Sequence, residues 1–328
     1  MTARAAAAVP GTATRGTTPR APAAAARATT RPASSRRRQD LLVSRALLWP
    51  ALVVAVVLTQ VPMLATVYYS FQEWNLLRPG QRGFAGFGNY AKVLSDGSFL
   101  SSLGSTVLVT GSAVVGATLL GLLFAVLLDR KFAGRSVART LMITPFLVMP
   151  AAAALIWKWS ILDVTYGMAN WFLSLVGIGP VAWNTELPAL TVIAVLIWQY
   201  TPFAMLILLA GLQSQSREVL EAAGVDGAGP WRTFTAITLP HLRQYVEITV
   251  LLATILLLQV FDPVAIMTKG TGGSKTLSYL LYERAFVGLE VGEAAAYGVM
   301  TVIVTILVAT VALRTLFKVF SAEGLMNR

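Results

Sequence analysis

The sequence predicts an all-α, polytopic membrane protein, and three observations carry that expectation. Apolar residues make up 56% of the 328-residue chain and charged residues only 12%, with a mean hydropathy of +0.68. That balance is too oily for a water-soluble domain of this length. Six stretches are long enough to cross a bilayer core, which takes about 20 apolar residues at a rise of about 1.5 Å each. None shows the period-two alternation of a barrel strand, so helices, which satisfy their own backbone groups, are the expected element.

Residues 1–44 are Ala, Arg, Thr, Pro and Ser with almost no large apolar side chains. Such a segment buries too little surface to offset its ordering entropy and is expected to be a disordered basic tail. An acid-poor start containing Ser and Thr also resembles an organellar transit peptide, whereas a secretory signal fits poorly because the first apolar run begins near Ala46 and continues too long. The six predicted spans are residues 46–71, 103–128, 138–160, 188–212, 245–266 and 294–316. They lie within a membrane domain of residues 45–320, followed by a short cytoplasmic end, 321–328.

The formal charge of +11 could suggest a nucleic-acid partner. Nine arginines against Asp40 place +8 of it in the first 45 residues, so charge is a property of the tail and loops. With no cysteine and the single histidine His241, disulfides, thiol catalysis and a Cys- or His-based metal cluster are excluded. His241 itself reads as a polar surface residue.

Basic residues set the orientation. Arg36, Arg37 and Arg38 precede the first span, Arg130, Lys131, Arg135 and Arg139 fill the second connection, and Arg217, Arg232 and Arg243 lie in the fourth. The positive-inside bias places these and both termini in the cytoplasm, and turns residues 72–102, 161–187 and 267–293 outward. Tyr68, Tyr69, Trp74, Trp157, Trp159, Trp171 and Trp183 fall at the outer ends, where aromatic rings suit the headgroup level, although some can pack between helices.

The fourth connection, residues 213–244, has its own architecture. Ser216 can cap a short helix with Glu218 in its first turn, Glu221, Ala222 and Ala223 continue it, and Asp226-Gly227 supplies a turn in which glycine takes a positive φ. Pro230 suits the first position of a second short helix ending near Leu239-Pro240. A helix-turn-helix lying across one membrane face can dock on a partner and transmit a rigid push.

The spacing of Glu221, Ala222, Ala223, Asp226, Gly227, Ile237, Leu239 and Pro240 resembles the loop by which an ABC-importer permease engages its ATPase. The likeness extends to Phe87-Gly88-Asn89-Tyr90, to Arg139 through Pro150 with Trp157, to Tyr166-Gly167 and Asn170, to Trp198 with Thr201-Pro202-Phe203, and to residues 268–276. Together these resemble the binding-protein-dependent ABC carbohydrate permeases, of the maltose, trehalose, glycerol-phosphate and polyol type, and the first of their two permease subunits. The chain lacks the extra N-terminal helices and large outer domain of the enterobacterial maltose subunit. The resemblance implies a type I importer permease fold in the bacterial inner membrane. It also implies a homologous second permease, two ATPase subunits carrying ATP and Mg, and an extracytoplasmic binding protein. No cofactor or metal is expected on this chain.

Two other strings mimic chemistry. Gly270 to Thr276 lacks the glycines that a phosphate loop requires immediately before Lys275 and five residues earlier, where Ser274 and Lys269 stand. Glu293-Ala294-Ala295 repeats the triplet at the start of the sixth span and reads as a small-residue packing face, helped by Gly292 and Gly298. Trp198, Gln199 and Tyr200 before Pro202 offer aromatic faces and an amide, and Gln259 and Asp262 lie in the outer half of the fifth span. Charge at mid-membrane is costly, so such groups face a pathway or another helix. Trp198, Tyr200, Gln259 and Asp262 are the candidate substrate path, with interhelical packing as the alternative for each and gating for Asp262. No arginine or lysine is expected there, which points to a neutral polyhydroxylated ligand. An ion-coupled secondary transporter or channel is the competing class, disfavoured by the scarcity of intramembrane charge and the lack of an inverted repeat.

Overall fold

The computed structural model describes the backbone of residues 33–326 and the side chains of residues 49–311 and Arg314. Of the expected tail, residues 1–32 lie outside the described residues. The helices are α1 (Ala33–Ser70), α2 (Gly88–Ser95), α3 (Gly97–Asp129), α4 (Arg135–Leu147), α5 (Pro150–Ile156), α6 (Met168–Leu175), α7 (Trp183–Glu186), α8 (Pro188–Gln213), α9 (Arg217–Val225), α10 (Pro230–Thr233), α11 (Leu239–Leu257), α12 (Leu277–Tyr282) and α13 (Val291–Met326). Wide π turns follow α5 (Trp157–Ile161), α10 (Phe234–Thr238) and α12 (Glu283–Val287), and a fourth, Val264–Thr268, follows α11 after an irregular stretch. Strands β1 (Gln72–Glu73) and β2 (Gly83–Phe84) pair antiparallel, Gln72 opposite Phe84.

The chain divides after Thr59. In the first unit, α1 starts at Ala33, well before the expected first span, because Ala, Arg, Gln and Leu from that point on are good helix formers. In the second unit, Gln60–Arg328, α3 and α8 pack along each other and supply the core. Gly121 makes the approach possible: a Cβ there would lie 2.6 Å from the Ala204 Cβ and 2.8 Å from the Met205 nitrogen.

Among the described residues, four helices are long and apolar enough to cross a membrane: Trp49–Ser70, Gly97–Asp129, Pro188–Gln213 and Val291–Val311. A fifth is reached if α4 and Pro150–Ile161, bent by 101°, count as one broken span. The expected third span is therefore interrupted at Val148-Met149, where Pro150 opens a new helix. The expected fifth is not continuous either, since α11 begins at Leu239, carries Arg243 and Glu247, and ends at Leu257.

Two asparagines explain the motifs in residues 72–102 and 161–187. Buried Asn89 donates from Nδ2 to the carbonyls of Ser70 and Gln72 at 2.9 Å each, while Tyr90 bonds Ser70 through their hydroxyls at 2.6 Å. Asn170 donates to the carbonyls of Asp163, Val164 and Val181 and accepts from Val181 N–H and Trp183 Nε1. Gly167 is required three residues earlier because a Cβ would sit 2.3 Å from the Asp163 carbonyl oxygen. The Glu293-Ala294-Ala295 string packs as expected: Ala294, Ala295 and Ala296 are buried, and Gly292 lies against the Gln72 carbonyl.

Candidate functional site

The loop after α8 is built from local rules. Ser216 holds the N-cap position of α9, although its side chain makes no capping bond, and Glu218 supplies the acidic first turn. At the other end, Ala228 N–H donates to the Ala223 carbonyl at 2.9 Å and Gly227 N–H to the Gly224 carbonyl at 3.1 Å. These are the paired bonds of a left-handed glycine cap, with Gly227 at φ +78°. Nothing lies within 4 Å of a Cβ built on Gly227, so the requirement is for the dihedral and not for space.

Pro230 opens α10 as expected, but the second helix does not end at Leu239-Pro240. Leu239 N–H bonds back to the Phe234 carbonyl, one residue wider than an α-turn, and the chain continues as α11. Pro240 has no N–H to return to the preceding turn, and a π bulge just before it accommodates that missing donor.

Ala222, Ala223, Asp226 and Ile237, with Val219, Ala228, Arg232 and Ala236, line a cleft of about 440 Å³ between α9 and the α10 π turn. Ala223 is buried at its base, whereas Glu221, Gly227, Leu239 and Pro240 are exposed. The apolar rim is exposed too: Val225 at 88% and Trp231 at 77% face outward. Alanines, Val219 and Ile237 make the cleft largely apolar, with Asp226 and Arg232 its charged members.

His241 joins this loop to the membrane helices, contrary to its expected place as a plain surface residue. It is half-buried, with Nε2 3.1 Å from both the Gly211 carbonyl and the Ser214 hydroxyl, which in turn lies 2.8 Å from the Tyr245 hydroxyl. Gly211 lets α8 and α11 meet here, since a Cβ would come within 2.6 Å of the Tyr245 ring. The start of α11 and the end of α8 are therefore joined through hydrogen bonds and packed rings.

The second feature lies where two predicted spans break. Irregular backbone at membrane depth must be satisfied by protein or line a water-filled path. Gln199 Nε2 donates to the Val148 carbonyl at 2.9 Å, closing the break between α4 and α5, and its buried Oε1 has no partner. Beyond α11, Thr110 and Thr276 hydroxyls donate to the carbonyls of Leu257 and Val260, at 3.2 and 3.1 Å. Lys158 Nζ donates to the Ile266 carbonyl at 2.7 Å. That lysine is a functional-looking group the sequence reading missed, having expected no cation nearby.

Of the four candidate path residues, Trp198 is half-buried against Trp157, ring centres 5.8 Å apart, and Tyr200 meets Phe146 at 6.0 Å. Gln259 is exposed on the irregular stretch after α11, and Asp262, half-buried, opens the short helical turn that leads into Val264–Thr268. Tyr200 and Val260 pack against one buried cluster that includes Leu196, Leu257 and Val264, so α8 and this segment converge.

Apolar helices, two of them broken along the span, with a structured loop and a cleft at one end, fit a multi-pass membrane protein. The chain belongs to the family of binding-protein-dependent transport system inner membrane components, whose pattern matches residues 117–321. It is 34% identical over 290 residues to a probable ABC transporter permease of Sinorhizobium fredii, covering 86% of this chain and 93% of that one. It is also 34% identical over 260 residues to the trehalose/maltose transport system permease of Thermococcus litoralis, covering 78% and 88%. A bacterial ABC transporter involved in import of the acidic polysaccharide alginate shares the fold, with a TM-score of 0.74 over 87% of this chain and 98% of that one at 21% identity. The protein is thus an ABC importer permease, a non-catalytic, multi-pass inner-membrane subunit.

Proposed function

We propose that this chain forms half of the pore of an ATP-driven importer for a neutral sugar or sugar alcohol. A homologous permease supplies the other half, two ATPase subunits hold ATP and Mg, and an extracytoplasmic binding protein delivers the ligand. Both termini face the cytoplasm, on the side of the 213–244 loop. The observation that carries this reading is the cleft formed by Ala222, Ala223, Asp226 and Ile237, held open by the Gly227 cap and tied through His241 to α8. Closure of the ATPases moves the 221–240 loop, and the packed α8–α11 junction converts that movement into opening of the pore to one side or the other. Such coupling requires loop contacts that differ between the two states.

The substrate class is supported by relatives named for trehalose and trehalose/maltose transport. It is also supported by chemistry: Trp198 and Tyr200 offer ring faces, Gln259 an amide and Asp262 a carboxylate for hydroxyl groups. Lys158 places one of its three N–H donors on the Ile266 carbonyl and is the one cation described near this path. The test is Glu221→Lys in the assembled complex. Membrane insertion is expected to be unchanged, with the ATPase no longer retained in mild detergent and uptake lost. Normal retention and uptake would refute the docking role.

A further inference from the structure

The chain between α11 and α13 carries four aromatic rings in an unbroken row. Phe261 lies 5.1 Å from Tyr282 and 6.3 Å from Tyr279, centre to centre, Tyr279 meets Tyr282 at 6.1 Å, and Tyr282 meets Phe286 at 5.5 Å. Tyr279, Tyr282 and Phe286 are three and four residues apart on α12 and the π turn that continues it, which puts them on one face. The opposite face is aliphatic: Leu277 and Leu280 are buried in the cluster that holds Phe99 and Tyr297. The aromatic row is therefore the open side of this helix, with Tyr282 exposed at 38% and Phe286 at 71%.

The half-buried end of the row is fixed beside the candidate path residues. The Thr276 hydroxyl donates to the Val260 carbonyl at 3.1 Å and accepts from the Tyr279 N–H at 3.4 Å, which holds α12 against the stretch bearing Phe261. Phe261 adjoins Asp262, and Tyr279 packs on the same buried cluster as Tyr200. Gly270 lets the preceding loop close on Tyr279, since a Cβ there would come within 2.8 Å of the ring and 3.2 Å of the Lys275 Cβ. Lys275 and Glu283, paired at 2.7 Å and partly in solvent, thus stand at the edge of the rings. Contact with acyl chains asks only for apolar bulk, which leucine supplies equally, and it disfavours an ion pair at the same place.

We propose that Phe286, Tyr282, Tyr279 and Phe261 form a stacking surface for a cyclic sugar, leading it from the open π turn towards Tyr200 and Asp262. A pyranose presents a flat face of C–H groups that packs on an aromatic ring while its hydroxyls bond at the rim. Here the rim offers two phenol hydroxyls and the Lys275–Glu283 pair. An open-chain polyol has no fixed flat face, so the row selects ring sugars within the solute class proposed above. The inference rests on that sugar-import reading and adds to it the residues that discriminate.

The test is saturation-transfer NMR of the full chain in nanodiscs, with irradiation of the aromatic protons and maltose, trehalose and sorbitol as probes. Transfer to the ring C–H protons of at least one disaccharide is expected, with little to sorbitol. Tyr282→Ala and Phe286→Ala each weaken disaccharide binding by about two- to ten-fold, the factor for one aromatic contact. Tyr282→Phe keeps the stacking face and is expected to retain it, which separates loss of the ring from a folding defect. Equal transfer to all three probes, no transfer to either disaccharide, or unchanged binding by the Tyr282→Ala/Phe286→Ala chain overturns the proposal. Loss of the second permease from the purified complex of that double variant, with disaccharide binding intact, assigns the face to a subunit contact and overturns it too. ATP-dependent sugar uptake by the double-variant complex with wild-type kinetics removes this site and leaves the import reading standing, whereas absence of ATP-dependent uptake in the wild-type complex strikes the import reading itself.

Discussion

Substitution of Gly227 separates two properties of the 213–244 loop, because this glycine is held by its dihedral alone. At φ +78° with no atom within 4 Å of a built Cβ, an alanine meets no steric neighbour and suffers only the left-handed backbone penalty. That penalty is about 1–2 kcal/mol, and asparagine, which visits this region more readily, loses less. Proline cannot adopt a positive φ and also deletes the Gly227 N–H bond to the Gly224 carbonyl, adding about 1 kcal/mol and opening the end of α9. Affinity of the purified permease for its ATPase should therefore fall in the order glycine, asparagine, alanine, proline. The alanine step is about five- to thirty-fold, and the proline variant is inserted but inactive in uptake. Titrating labelled ATPase against the four permeases in nanodiscs measures the series. Alanine and proline variants that bind as tightly as the wild type would refute the reasoning, and so would an asparagine variant weaker than the alanine one.

Three other outcomes follow from the packing. Gly121→Ala should destabilise the protein by about 1–3 kcal/mol because its Cβ meets Ala204. Gly111→Ala on the same helix, with open space around it, should be neutral or stabilising by up to about 1 kcal/mol; paired thermal unfolding in detergent compares them. Asn170→Ala orphans the Val181 backbone and the Trp183 Nε1, at about 1–3 kcal/mol, and limited proteolysis should cut residues 161–187 while the rest stays intact. Asp96 is held down at about 2 by hydrogen bonds from the Ser98 hydroxyl and N–H, then from Tyr297, with the Arg284 charge a lesser cause. Its folded-state value lies below its ordinary 3.8, so the stabilisation is complete above about pH 4 and is lost as pH falls through about 2. With a third of the side chain in solvent, the effect is on the order of 1 kcal/mol. Asp96→Asn should remove that acid dependence, and Ser98→Ala should shrink it more than Arg284→Gln does, as read from unfolding midpoints between pH 2 and 5.

The elements legible in the sequence were those fixed by neighbours along the chain. Uninterrupted apolar runs gave α3 and α8, Asp226-Gly227 marked the end of α9, and Pro230 marked the start of α10. The breaks in the third and fifth spans were not legible, since their freed carbonyls are satisfied from far away. Gln199 reaches Val148, Thr110 reaches Leu257, and Lys158 reaches Ile266. Hydropathy counts apolar residues and carries no direction, so a 101° bend leaves it unchanged. The Glu221-Ala222-Ala223 triplet could be read as a motif, but the link of its loop to the membrane helices could not, because His241 meets Gly211 across 30 residues of chain. Likewise Asn89 and Asn170 stood out as motif letters, and only the fold shows that each ties down loop carbonyls.

The central claim is that this chain conducts solute only when an ATPase works its 213–244 loop. Reconstitution of the full complex in proteoliposomes with ATP enclosed, liganded binding protein outside and ion gradients collapsed by ionophore tests it most directly. The account predicts uptake of a neutral sugar or polyol that requires ATP, survives the ionophore and disappears in the Gly227→Pro complex. Uptake that proceeds without ATP, or that stops when the ion gradient is collapsed, would contradict it.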